Sequence, residues 1–373
     1  MRGDNKIIAW VIVVILTLNV CLPIYATPVV TPSGQNLSST TQTQLRSIES
    51  EVKDALDHTT SYILNKVKKP TVGSIGGEWA VLGLARRGGD VPKTYYEDYY
   101  KRVVEKIKQE EAKATRKWGL KVTEPQRLAI ALTAIGKDPM HVAGIDLIEY
   151  SWNKEKKMSD LPKAHQGLGD RQGLNELVFG LITIDLKQST RPKDATISRN
   201  SIIEKILKDY RTKDGGFSLS KNGAKADMDM TAMTLQALAP YYNQKNYEYV
   251  TKAVDKALKL LSQKQSKSGG FISEYGLVLG EGIETSESTA QVIVALCSLG
   301  LDPQKDARFI KNGKSPIDAL MEYYVSGGGF RHLRDGKIDQ MATEQAYYAL
   351  VAYERLLKGQ TSLYDMTDIK VYK

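Results

Sequence analysis

Apolar positions recur along most of this chain at helical spacing, in two alternating styles. Leu45, Ile48, Val52, Leu56, Tyr62, Ile63 and Val67 form one apolar stripe with charge between its members. The stretch 79–87 that follows is short and apolar until its basic end. The alternation continues: 95–110 is amphipathic and 124–135 apolar, 140–150 leads to an apolar 175–186, and an amphipathic 198–210 leads to an apolar 227–242. Then 247–263 is amphipathic, 285–299 apolar, 316–325 short and amphipathic, and 342–357 largely apolar. A helix that is apolar all round must be buried on every side, whereas a one-sided helix keeps a face in water. Six of each, alternating, predict an all-α fold with two concentric rings of six helices: a six-hairpin α/α toroid. A closed ring also leaves no end repeats that need polar caps. Strand patterns are nearly absent.

A repeat supports the count. Phe217, Phe271 and Phe330 each follow a glycine pair. Gln236, Gln291 and Gln345 sit inside the apolar helices, which open on Asp229-Met230-Thr231, Ser286-Glu287-Ser288-Thr289 and Thr343-Glu344. Gly300-Leu301-Asp302-Pro303 is echoed earlier by Gly136-Lys137-Asp138-Pro139.

The string Asp227-Met228-Asp229-Met230-Thr231-Ala232, preceded by Gly215-Gly216-Phe217 and followed by Gln236-Ala237-Leu238, resembles the terpenoid cyclase and protein prenyltransferase superfamily. It is similar to the Asp-x-Asp-Asp-Thr-Ala motif of squalene-hopene cyclases. The resemblance covers residues 45–357 and implies the six-hairpin toroid, which cobalamin carriers also use. In a cyclase it would make Asp229 the proton donor and Asp227 its partner, although Met230 replaces the third aspartate. Prenyltransferases hold zinc with Asp, Cys and His. Here no Asp-x-Cys occurs, and His58, His141, His165 and His332 lack ligand spacing, so neither a metal nor a cofactor is expected.

Charge and termini add context. The 373 residues carry a net charge of +9. The lysines are scattered, with no Arg-rich arm, which argues against a nucleic-acid partner and allows a weak attraction to anionic cell-surface polymers. Residues 1–26 read as a signal peptide: Arg2 and Lys6, an apolar run over 7–18, Pro23, then Ala26 before the cut. An uncleaved membrane anchor is the alternative. Residues 27–43 read as a flexible spacer, 44–358 as the toroid and 359–373 as a C-terminal tail. After cleavage Cys297 alone remains, as a small buried core residue without a disulfide.

In such a ring the inner helices run parallel, so their N-termini gather at one mouth. That mouth would carry Glu78, Trp79, Glu124, Asn175, Glu176, Asp227, Asp229, Glu284, Glu287 and Glu344. Any one of these acids reads as a helix cap. Together, with the Trp, they read as the rim of a site. The expectation is an exported, non-catalytic module that binds a large apolar or corrinoid-like ligand, or a cell-surface polymer or protein, at this rim. The alternative is a proton-initiated cyclase using Asp227 and Asp229. The third reading is a polysaccharide-cleaving toroid, which needs two carboxylates across a cleft.

Overall fold

A computed structural model describes residues 39–112, 121–153, 155–157, 164–166, 168–169, 171–273 and 282–372. The expected signal segment, most of the spacer, Cys21 and Trp118 lie outside them. The inner ring is α2 (Trp79–Arg87), α4 (Thr123–Ala134), α6 (Leu174–Asp185), α8 (Met228–Leu238), α10 (Ser286–Ser298) and α12 (Gln340–Leu357). Each packs against the next, and α12 closes the circle on α2. The outer helices are α1 (Ser39–Lys66), α3 (Lys93–Ala112), α5 (Glu149–Trp152), α7 (Arg199–Lys205), α9 (Glu248–Lys264) and α11 (Pro316–Met321). The six-hairpin toroid is thus the fold.

The two helix styles match their two positions. In α10 every residue from Ser286 to Cys297 is buried. In α9 only a stripe is buried, through Val250, Val254, Ala257, Leu258 and Leu261. One expected helix is nearly lost. The segment 140–150 is mostly turns, and only Glu149–Trp152 is helical. Ala143 and Gly144 take positive φ of 52° and 86°, which stops a helix there, and the Asp146 carboxylate accepts the Ile148 N–H at 2.8 Å to start the late turn.

Strands are more frequent than the pattern suggested. Among the described residues, three antiparallel hairpins each precede an inner helix: β1 (Glu155–Lys157) with β2 (Ala164–Gln166), β3 (Phe271–Ser273) with β4 (Ile283–Thr285), and β5 (Phe330–Arg331) with β6 (Ile338–Asp339). The last two explain the Gly-Gly-Phe repeat. Phe271 pairs with Thr285 and Phe330 with Asp339, and an isolated bridge joins Phe217 to Asp227 in the same way. Each of those partners is the N-cap of the next inner helix. Asp227 accepts from Met230 N–H at 2.7 Å, Thr285 from Ser288 N–H at 3.1 Å and Asp339 from Ala342 N–H at 2.9 Å. A threonine one turn later then accepts the Phe N–H: Thr231 from Phe217 at 3.0 Å, Thr289 from Phe271 at 3.2 Å and Thr343 from Phe330 at 2.9 Å. All three Phe rings are fully buried.

The glycine before the Phe makes room for this arrangement. A Cβ on Gly216 would lie 2.6 Å from Ala226 Cβ and 2.7 Å from Thr231 Oγ1. Gly216→Ala is therefore expected to destabilise the fold by about 1–3 kcal/mol, as other overpacked sites do, which urea unfolding would register.

The stretch 359–372 packs against the ring. It crosses the end of the ring where the inner helices finish. Leu363 and Met366 are fully buried, Met366 N–H donates to Leu186 C=O at 2.8 Å, and Lys187 Nζ donates to the carbonyls of Met366 and Ile369. Arg86, also fully buried, donates to Asp368 and Thr361 and to the carbonyls of Ser362 and Asp365, each at 2.8–2.9 Å. Arg355 adds Asp368 and Thr361 at 2.8–2.9 Å. This strap closes the base of the ring.

Candidate active site at the ring mouth

The repeat frame decides which side chains face the axis. Counting from the cap, the second residue of four neighbouring inner helices is Asn175 (after Gly173), Asp229 (after Asp227), Glu287 (after Thr285) and Met341 (after Asp339). One turn further in, the sixth is Phe179, Met233, Gln291 and Gln345. All eight line a single cavity of about 500 Å³ at the helix N-termini, together with Asp227, Trp79, His332, Tyr348 and Tyr364. Asp229 and Glu287 thus occupy the same register on adjacent helices, and both face this space.

The frame also corrects one alignment. Gln291 and Gln345 are the sixth residues after their caps, but Gln236 is the ninth, and Met233 fills the matching place. Gln236 lies a turn deeper and lines a second cavity of about 660 Å³ at the base, as does Cys297. Its amide donates to Gln291 Oε1 at 3.0 Å, and that of Gln291 donates to Gln345 Oε1 at 2.9 Å and Tyr348 Oη at 2.6 Å, a hydrogen-bonded belt across three helices.

Glu287 is held by two partners. His332 Nδ1 lies 2.9 Å from its carboxylate, and Ser286 Oγ donates at 3.0 Å. His332 itself is half exposed at the rim. Asp227 is buried as the α8 cap. Burial raises its pKa, while the N–H groups of Met230 and Asp229 pull it down less strongly. Trp79 stacks on Phe179 with ring centroids 5.7 Å apart and leans on Tyr348 at 6.0 Å, giving the cavity an aromatic wall.

The remaining rim acids have other employment, and none of them lines the cavity. Glu78 accepts from Gly73 N–H at 2.9 Å, with Arg127 3.5 Å away, and its pKa is raised chiefly by burial. Glu176, fully buried, accepts from Gly169 N–H at 2.6 Å and Gln172 N–H at 3.1 Å. Glu124 accepts from Lys121 N–H at 3.1 Å. Glu284 accepts from Ser268 Oγ at 2.7 Å and pairs with Arg334 at 2.8 Å; burial pushes its pKa up, but these donors outweigh that and leave it lowered. Glu344 accepts from Gly76 N–H at 2.9 Å, across the seam where α12 meets the loop before α2. These carboxylates fasten connecting loops to the inner helices, a role wider than capping their own helix. Among the described residues, no cluster of His, Cys, Asp and Glu could hold a metal ion.

Glu344 gives a measurable consequence. Burial, reinforced by the charges of Glu78 and Asp339, raises its pKa from 4.5 to about 7, against hydrogen bonds from Gln340 and Gly76. The folded protein then keeps a proton that the unfolded chain releases, so stability falls as pH rises from about 4.5 to about 7. Glu344→Gln is expected to remove up to about 3 kcal/mol of that pH-dependent loss. Unfolding midpoints of both proteins at acid and at mildly alkaline pH would check it.

The comparisons with known proteins bear on the fold. No family model matches the chain, and no curated protein does. Among solved structures it is similar to an unsaturated glucuronyl hydrolase from Bacillus sp. GL1, responsible for the degradation of glycosaminoglycan, with 13% identity, 85% of this chain and 98% of that chain covered, and a TM-score of 0.53. It is also similar to a glycosyl hydrolase family 88 protein from Bacteroides vulgatus, with 13% identity, 80% and 99% coverage and a TM-score of 0.51. Likeness at this identity carries the toroid fold. It also corrects the expected function. The binder of a large apolar or corrinoid-like ligand, and the cyclase using Asp227 and Asp229, were both drawn from a resemblance that is one of fold alone. The toroids this chain superposes on are glycosyl hydrolases. The mouth agrees with that correction: carboxylates, amides and a half-exposed imidazole stand on its wall, where a cyclase needs an enclosed apolar chamber.

Proposed function

We propose that this chain is an exported glycan-cleaving hydrolase that works at the mouth of its inner ring, with Asp229 and Glu287 as its acid–base pair. The observation that carries this is their shared register on α8 and α10, facing one cavity beside Trp79. Hydrolysis of a glycosidic bond needs one carboxyl to protonate the departing oxygen and another to activate water or attack the anomeric carbon. Glu287, oriented by His332 and Ser286, suits the second role, and Asp229, half-buried on the neighbouring helix, suits the first. The bond from the anomeric carbon to the bridging oxygen breaks. The oxygen leaves with the proton of Asp229, and the hydroxyl of water ends on the anomeric carbon while its proton passes to Glu287. Asp227 is a positioning residue that starts α8 so that Asp229 faces the axis. Trp79 offers a flat apolar surface for a sugar ring.

The fold of the similar glycosyl hydrolases supports the reading, as does an N-terminal segment of export type, which would bring the enzyme to polysaccharides outside the cell. The test is incubation of the purified chain with neutral polysaccharides, chitosan and lyase-generated unsaturated glucuronyl oligosaccharides, followed by mass spectrometry. One class is expected to yield fragments that have gained one water. An unchanged panel would rule the proposal out.

A further inference from the structure

Asn175 shares the register of the acid pair but has no work in the fold. It is the second residue after Gly173, as Asp229 is after Asp227 and Glu287 after Thr285. The helices α6, α8 and α10 are neighbours in the inner ring and pack against one another in that order. The wall of the mouth cavity therefore presents Asn175, Asp229 and Glu287 in a row, with Asp229 in the middle. Asn175 does not cap its helix: α6 starts from Gly173 without a side-chain cap, and Leu174 N–H donates to Leu219 C=O at 3.0 Å. Nor does it fasten a loop, since Glu176 takes the N–H groups of Gly169 and Gln172. A second observation points to a ligand. Asn175 Oδ1 is shut away from solvent and has no hydrogen-bond partner. An enclosed amide oxygen with nothing to bond is costly unless something enters with a donor. A half-turn of the amide presents its nitrogen instead, so the group can serve a hydroxyl as acceptor or as donor.

We propose that Asn175 binds a hydroxyl of the departing sugar, so that this chain selects a sugar as its leaving group. This rests on the hydrolase reading and names the residue that recognises the leaving side. Asp229 protonates the bridging oxygen and Glu287 serves the anomeric carbon, from the face opposite the breaking bond. The sugar under attack then lies on the Glu287 side of Asp229, and the departing sugar lies on the other side. Asn175 stands there, on the next helix. One turn further along α6, Phe179 lines the same space and stacks on Trp79, which gives the departing ring an apolar neighbour below the amide. A leaving group without hydroxyls offers Asn175 nothing to bond.

Paired substrates test this on the full chain. Cellobiose, the glucosamine dimer and an unsaturated glucuronyl disaccharide are each set beside the phenyl glycoside of their attacked sugar, from which a phenol departs. Within the pair that is cleaved, Asn175→Ala is expected to lower kcat/KM on the disaccharide about 10-fold more than on the phenyl glycoside, the factor that one lost hydrogen bond supplies. The melting temperature should stay the same, because the amide has no partner to lose. Asn175→Ser, a smaller change, is expected to show a split in the same direction. A structural role would lower both substrates alike. Equal losses on the two substrates, or no loss on either, would overturn the inference while hydrolysis stands. A parent chain that cleaves none of the six compounds also overturns it, and the polysaccharide panel then decides whether hydrolysis goes with it.

Discussion

Asp229→Asn and Glu287→Gln are each expected to lower the rate of glycan cleavage by about 10²- to 10⁴-fold, the range ordinarily supplied by a positioned acid or base. Each variant leaves its helix N-cap in place, although Glu287→Gln also alters the contact with His332 on the β5–β6 turn. The α8 N-terminus is held by Asp227 and the α10 N-terminus by Thr285. Asp227 gives the contrast. Asp227→Asn keeps an oxygen that can accept the Met230 N–H, whereas Asp227→Ala loses it and should cost about 1 kcal/mol of stability as well as rate. Rates, substrate affinity and melting temperature measured on the three variants would separate the roles. If Asp229→Asn and Glu287→Gln keep full activity, these residues do not perform the chemistry, whatever the substrate. A loss that appears only in KM would instead make them sugar-binding groups.

Arg86→Leu is expected to destabilise the fold by about 2–3 kcal/mol, from the loss of charge-assisted hydrogen bonds to the strap. Arg86 is wholly enclosed and donates to two side chains and two carbonyls of the strap, and its loss takes this donor from the Ser362 and Asp365 carbonyls. Arg355 would still hold Asp368 and Thr361, so the strap should loosen rather than detach. Hydrogen exchange should show faster opening of 361–369 in the variant, and chemical unfolding should show the lowered midpoint. An unchanged midpoint would mean that the strap contributes little to closing the ring. Because Tyr364 rides on the same segment, a loosened strap should also disturb the cavity floor.

Much of the fold could be read from residue order. Helical periodicity alone separated inner from outer helices, because an inner helix such as α10 is enclosed all round and can carry hardly any charge, while α9 needs only one apolar stripe. The segment 140–150 was misread because its apolar residues are spaced as in a helix, yet the backbone turns at Ala143 and Gly144. The short strands of the Gly-Gly-Phe hairpins escaped because two or three residues are too few to show alternation. The strap was missed for a similar reason: its anchors, Arg86, Leu186 and Arg355, are remote in the chain, and its own residues have no period.

The site was legible only as a set of candidates. From the sequence every acid near an inner helix start looked alike, and the cyclase-like string drew attention to Asp227 and Asp229 as a pair. The structure divides them by register. Cap positions and loop fasteners took Asp227, Glu78, Glu176 and Glu344, while the second residue after the cap faces the axis and carries Asp229 and Glu287. A signal for this was present in the caps themselves. Aligning the helices on Asp227, Thr285 and Asp339, rather than on the glutamines, places Asp229 against Glu287 directly. His332 and Tyr364 had no comparable signal, since a hairpin and a terminal strap deliver them across the ring.

Residue order carries the helices of the ring, because local periodicity, caps and turn glycines specify which face of each helix is buried. Which acids bond to the backbone and which stand at the second position after the cap is set by contacts between elements. That choice depends on a helix's rotation about its own axis, and neighbouring helices and hairpins, not the helix itself, set the rotation.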